Sequence, residues 1–389
     1  MNILDADSIV AEARAAAGLT DFGDESFREP MRVLLRALDE EAQLTPIGRA
    51  AQRQRVVDLL VNRLRAEACF ARHPEILDEA IRAPIVIVGL PRTGTTLLHR
   101  TIASDTQRQH AARWYECRHP APLGDDTTGE DPRIARAEAE VRAMLEAVPA
   151  LASMHPLDAR APDEEILLLE HSFYSTTAEG TANVPSYGEW LSRQDHRPAY
   201  RYLRRLLQLI QWQQRRAGSR AERWVLKTPH HLAYADLVLE EFPDALLVQT
   251  HRDPLESIPS LASFIHALWS LVSESVDAKE IGRQWNAKMA HGLAHCLEVR
   301  ERFPGRFVDV WFQDAVRDPV EQARRIYGVA GLAWSGDAEA AMRRFVATNP
   351  REGRPPHLYT LEEFGLTRAG IERDFAAYRE RFILGRGRE

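Results

Sequence analysis

In the stretch IVIVGLPRTGTTLLHR, Ile85 to Arg100, Gly89 and Gly94 are separated by four residues and followed by Thr95 and Thr96. A loop that cradles a triphosphate has the same frame with lysine where Thr95 stands, because an ammonium group must reach the outer phosphates. Here the backbone N–H groups from Thr93 to Thr96, the positive end of the following helix and the Thr95 and Thr96 hydroxyls converge on one anion. Arg92 adds a fixed positive charge one short turn earlier. The loop therefore suits an anion shorter than a triphosphate and differently arranged.

Such a loop needs a strand before it and a helix after it. Pro84 ends a helical preface, and IVIVG is a continuous apolar run of the kind a buried parallel strand carries. GTTLLHRTIASD continues as a helix with Leu97, Leu98 and Ile102 facing inward. RWVLK (Arg223 to Lys227), ALLVQT (Ala245 to Thr250) and RFVDVWF (Arg306 to Phe312) supply further strands, each flanked by helical pattern. The expected fold is α/β with a parallel sheet. Residues 1–82 form an N-terminal helical segment, in which VVDLLVNRLRAEACF sets Val56, Leu59, Leu60, Leu64 and Ala68 on one stripe. The main domain spans 83–389, and a helical insertion at about 120–222 covers the active site.

GLPRTGTT resembles the 5′-phosphosulfate loop of sulfotransferases that use 3′-phosphoadenosine 5′-phosphosulfate (PAPS), and most closely that of the large bacterial group with an N-terminal helical segment. The resemblance runs from the loop nearly to the C-terminus. It implies a P-loop-kinase-like topology, sulfuryl transfer from PAPS as cosubstrate without a metal, and donor contacts from Arg92, Thr93, Gly94, Thr95 and Thr96. A second match lies in VQTHRDPLESIPSL, where Arg252 and Ser260 have the eight-residue separation with which the family grips the 3′-phosphate. A guanidinium fork and a hydroxyl near a helix start are physically suited to a phosphate dianion. HRD also opens a kinase catalytic loop, but the Asn and DFG that should follow are absent. In RWVLKTPHHL, Lys227 matches the family's strand-end lysine, although Pro229 displaces the histidines to 230 and 231. At a strand's C-terminal edge beside the loop, Lys227 can neutralise sulfuryl oxygens as charge redistributes.

Transfer to a hydroxyl also needs a proton acceptor, which either a carboxylate or an imidazole provides. Glu164, in MHPLDARAPDEEILLL, matches an acidic Pro-x-Glu signature of the bacterial group; it also suits a helix N-terminus. His230 is the competing candidate and His155 a third. NPREGRPPHLYTLEEFGL resembles the family's closing segment over the cofactor, which brings Arg351, Gly353 and Arg354 into consideration. His291, His295 and Cys296 are close enough for zinc but lack a further ligand cluster, and a helix face explains them better; no metal is expected. The aromatics of WYE, SFYS, SYGEW and FIHALW serve either as core or as the lining of an apolar acceptor site.

The 389 residues are 44% hydrophobic and 28% charged, with a formal net charge of -7, as for a globular protein that does not grip nucleic acid. Cys69, Cys117 and Cys296 have neither disulfide nor zinc spacing. The start MNILDADSIVAEARA is acidic where a secretory signal is basic, and no apolar run reaches membrane-spanning length, so a cytoplasmic location is expected. The leading expectation is a PAPS-dependent sulfotransferase acting on a hydroxyl or amine of a small-molecule, lipid or glycan acceptor. Two alternatives stand beside it: an ATP/Mg-dependent kinase or nucleotidase on a degenerate loop, and a non-catalytic module that binds PAPS or its product.

Overall fold

A computed structural model describes residues 3–124, 129–149, 157–349 and 359–386. Five parallel strands, β1 (Ile85–Gly89), β2 (Gln109–His110), β3 (Arg223–Lys227), β4 (Leu246–His251) and β5 (Phe307–Trp311), lie in the order β2-β3-β1-β4-β5. β1 is central, with Ile87 opposite Lys227 on one side and Gly89 opposite Thr250 on the other. The loop after β1 therefore opens between the carboxyl ends of β3 and β4, where a doubly wound sheet collects ligand-binding groups. The topology is that of the P-loop kinases, as the sequence led us to expect.

Alternation along the strands divides the core. Val86, Val88, Trp224, Leu226 and Leu247 face one apolar cluster, while Ile85, Ile87, Val225, Val248 and Val310 face another. The second face is covered by α4 (Thr95–Ala103) through Leu98 and Ile102, with further helices near the C-terminus. Leu97 is only half-buried; the inward position next to Leu98 belongs to His99.

The apolar cluster of the first face continues through the longest helix of the span between β2 and β3, Arg197–Arg216, to α3 (Pro46–Arg72) and, packed on α3, to α1 (Ala6–Ala17), with α2 (Arg28–Glu40) beside it. α3 carries more than the expected stripe. Val56, Leu59, Leu60 and Leu64 are buried and Ala68 is half-buried, but Val57, Val61, Ala66 and Cys69 are buried as well. The helix is enclosed on several sides, and its Arg63 is accommodated by donating to the carbonyls of Phe22 (2.9 Å) and Asp24 (2.6 Å). Among the described residues, no helix is long and apolar enough to cross a membrane.

Candidate active site

The strand-to-loop corner is built around contacts that only small groups allow. Gly89 has φ +152°, and a Cβ there would come within 2.1 Å of Thr250 Oγ1. Thr93 is fully buried: its hydroxyl lies 2.6 Å from the Leu90 carbonyl and 2.6 Å from Thr250 Oγ1, which fastens the loop to β4. Its side chain thus braces the loop. Gly94, at φ +86°, turns the chain into α4, whose first residues are Thr95 and Thr96.

Arg92, also in the left-handed region at φ +71°, aims its guanidinium at α5 (Pro254–Trp269), where Nε donates to Ser260 Oγ at 3.2 Å. The Arg92 carbonyl accepts from Arg252 Nη1 at 2.9 Å. The rest of the Arg252 fork, Nε and Nη2, grips one oxygen of Glu256 at 2.9 and 2.7 Å, and the guanidinium lies 4.1 Å above the Phe312 ring. Arg92, Arg252 and Ser260 are therefore in mutual reach. A carboxylate occupies the Arg252 fork.

On the other side of the loop, Lys227 ends β3 with 1% exposure. Its Nζ pairs with Glu164 and lies 3.3 Å from Thr96 Oγ1. The Glu164 segment is held in place by Arg100, which donates to the Pro162 carbonyl at 3.0 Å, and by the Asp163 amide, which bonds to the Ala112 carbonyl at 2.9 Å. Beside it, Glu165 points into the interior, accepting from the Lys227 amide at 2.8 Å and from His231 Nε2 at 2.8 Å. Burial pushes Glu165 upward, but the contact with His231 and the Lys227 amide outweigh it and hold the carboxyl below its ordinary range.

A cavity of about 830 Å³ opens from Arg92, Thr95 and Thr96 and is continued by Glu164 and His230. Its further walls are largely apolar, with Leu261, Phe264, Ile265 and Leu268 on one helix and Trp285 and Met289 on another. Of the sequence's aromatics, Trp114 and Phe264 line this cavity, while Phe173 and Tyr187 are core. His230 Nδ1 lies 3.3 Å from Thr176 Oγ1, and its Nε2 is buried without a hydrogen-bonding partner among the described residues. Burial, with smaller contributions from His196, His231 and Lys288, pushes His230 well below its ordinary value, so it is neutral near pH 7.

Arg92, Thr95, Thr96, Glu164 and His230 thus share one cavity, Lys227 lies buried behind its wall against Thr96 and Glu164, and Arg252 and Ser260 join through Arg92. His155, Arg351, Gly353 and Arg354 lie outside the described residues. His295 bonds to Asp236 (3.0 Å) and Cys296 Sγ approaches Gln249 (3.8 Å); among the described residues, no acidic, histidine or cysteine cluster could hold a metal. Sequence reasoning missed Glu165, His231 and Glu256, although the EE and HH doublets could have drawn attention to the first two.

Comparison with known proteins gives a consistent result. A model described as the Sulfotransferase family matches residues 84–336. Omega-hydroxy-beta-dihydromenaquinone-9 sulfotransferase Stf3, from Mycobacterium bovis and from Mycobacterium tuberculosis, is 29% identical over 274 residues, which make up 67% of this chain. The aligned part spans 65% of the length of these curated relatives. The crystal structure of sulfotransferase STF1 from Mycobacterium tuberculosis H37Rv superposes with a TM-score of 0.84 at 33% identity, covering 97% of this chain and 99% of that one. For sulfotransferase STF9 from Mycobacterium avium the TM-score is 0.88 at 30% identity, covering 98% and 97%.

Proposed function

Since the chain belongs to the sulfotransferase family, we propose that it transfers the sulfuryl group of PAPS to a hydroxyl of a partly apolar acceptor. The observation that carries this reading is the joining of two anion-binding elements, the Arg92 loop and the Arg252–Ser260 pair, through two direct hydrogen bonds. A donor with phosphate at both its 5′ and 3′ positions needs two such elements side by side. The hold of Arg252 on Glu256 favours an anion at this fork, and a phosphate dianion would displace the solvent-facing carboxylate.

In the proposed reaction the acceptor oxygen attacks sulfur in line, the bond from sulfur to the 5′-phosphate oxygen breaks, and 3′-phosphoadenosine 5′-phosphate (PAP) departs. The loop amides and Thr95 hold the 5′-phosphate; Thr96, Lys227 and Arg92 meet the charge that develops on the sulfuryl and bridging oxygens. Lys227 must leave Glu164 to do so, which frees that carboxylate to take the acceptor's proton. His230, neutral and lining the same cavity, is the other base. The Stf3 relatives are named for a hydroxylated menaquinone, and the apolar walls here suit a lipid alcohol of comparable character.

Calorimetric titration with PAP, against AMP and against ATP with magnesium, tests the donor. Tight binding that requires the 3′-phosphate and disappears in Arg252→Ala is expected; a preference for ATP with magnesium would return the chain to phosphoryl chemistry. Strands β3 and β4 lead into Lys227 and Arg252 at positions where a magnesium-dependent transferase needs an acid, which disfavours that alternative.

A further inference from the structure

Behind Lys227 runs a chain of buried polar groups that takes no part in the steps above. The Tyr200 hydroxyl lies 2.7 Å from His231 Nδ1, His231 Nε2 lies 2.8 Å from Glu165 Oε1, and Glu165 Oε2 accepts from the Lys227 amide at 2.8 Å. Tyr200, His231, Glu165 and Lys227 are each 1% exposed. With His231 Nε2 donating to the carboxylate, Nδ1 and the Tyr200 hydroxyl can each serve as donor or acceptor to the other, so every contact has a donor and an acceptor.

Apolar side chains would fill this space at a lower desolvation cost, since burying a carboxylate is unfavourable unless it is closely paired. The chain's two ends explain what it adds. One is the backbone of Lys227; the other is the residue next to Glu164. Because Glu164 and Glu165 are adjacent, a carboxylate fixed in the interior also fixes the start of the segment that presents Glu164 to the cavity. Lys227 and Glu164, far apart in sequence, are thereby set from a single point.

We propose that Glu165, His231 and Tyr200 are positioning residues that hold the Lys227 ammonium and the Glu164 carboxylate in the geometry sulfuryl transfer needs. The proposal rests on the sulfotransferase reading of Lys227 and Glu164. Misplacing a reacting group by about 1 Å costs on the order of 100-fold in rate, so the brace should act on kcat more than on donor affinity.

The sequence supplies its own probe: Lys227, Lys279 and Lys288 are its only lysines. In protein labelled with [13Cε]lysine, Tyr200→Phe and Glu165→Gln should each shift the Lys227 resonance while Lys279 and Lys288 stay in place. PAPS turnover should fall at least ~10-fold, with PAP affinity held within a few-fold. His231→Gln, which keeps a donor and an acceptor, should recover part of the loss seen in His231→Ala. If Glu165→Gln fails to fold, Tyr200→Phe, which removes one hydroxyl, decides alone. An unmoved Lys227 resonance, or unchanged turnover in a cooperatively folded variant, overturns the brace. Titrating PAP into the wild type separates the two ideas: no response at Lys227 defeats the sulfotransferase reading, whereas a wild-type response unaltered by the variants defeats only the brace.

Discussion

At the scale of single residues, the pairing of Lys227 with Glu164 and of Arg252 with Glu256 means that two of the three cations proposed to meet the donor already hold a carboxylate. Exchange of one anion for another avoids leaving a buried charge uncompensated before the donor arrives. Lys227→Ala and Arg92→Ala should each lower kcat by roughly 100-fold, about 3 kcal/mol of transition-state stabilisation, measured at saturating PAPS. Lys227→Arg should not restore it, because a planar fork does not fit a place closed around a compact ammonium. The base can be tested by pH. His230 is pushed below its ordinary value by burial, so it remains deprotonated, and competent as a base, through pH 6.5. A kcat profile flat from pH 7.5 down to 6 is expected; an acid limb centred near 6.5 would point to an imidazole in an ordinary environment instead. Arg92, Lys227 and Arg252 were legible as residues of one corner because strand ends and loop spacing locate them, whereas Glu164 and Ser260 came into consideration through the family resemblance. Glu165 and His231 were not legible: in each doublet, which neighbour turns inward is decided by the other, at a separation of 66 residues.

At the scale of elements, the site depends on two fixed strand ends. The end of β1 is set by the lack of a side chain at Gly89, so Gly89→Ala must displace Thr250 or the loop. We expect a loss of stability of at least ~1 kcal/mol, seen by urea unfolding, together with loss of PAP binding by calorimetry. The end of β4 is set by the C-terminal segment. Phe382 stacks on His251 at 4.2 Å, Tyr378 bonds to His251 Nδ1 at 3.2 Å, and Arg379 reaches both oxygens of Asp253, the cap of α5. Phe382→Ala should cost ~3 kcal/mol of stability and also weaken PAP binding, because Arg252 and Ser260 follow from that strand end. Four of the five strands could be read from apolar runs bounded by turns. β2 could not, because Gln109–His110 has no apolar run and is a strand only through its pairing with Arg223 and Trp224. The enclosed faces of α3 were hidden likewise, since a polar residue such as Arg63 reads as solvent-facing until its carbonyl partners are known.

Taken whole, the molecule encloses histidines that its unfolded chain would protonate in mild acid. Burial pushes His99 down to about 3, His171 and His196 to about 4, and His230 well below its ordinary value. For a base whose folded value is lowered, the unfolded state binds more protons between that value and about 6.5, so stability falls as pH falls through this window. Each such group acting alone contributes ~1.4 kcal/mol per pH unit, and thermal melts from pH 7 to 5 should show Tm dropping steeply; a level Tm would mean that these rings are solvated. Finally, Gly89, Thr93 and Thr250 carry a consequence for the order in which the chain is made. The loop is synthesised early, yet the hydroxyl that fastens it arrives more than 150 residues later, on the order of ten seconds at typical rates of translation. Until β3 and then β4 are made, the nascent chain holds an apolar central strand without its neighbours. A donor bound as proposed could offer it no help, because Arg252 and Ser260 have still to leave the ribosome.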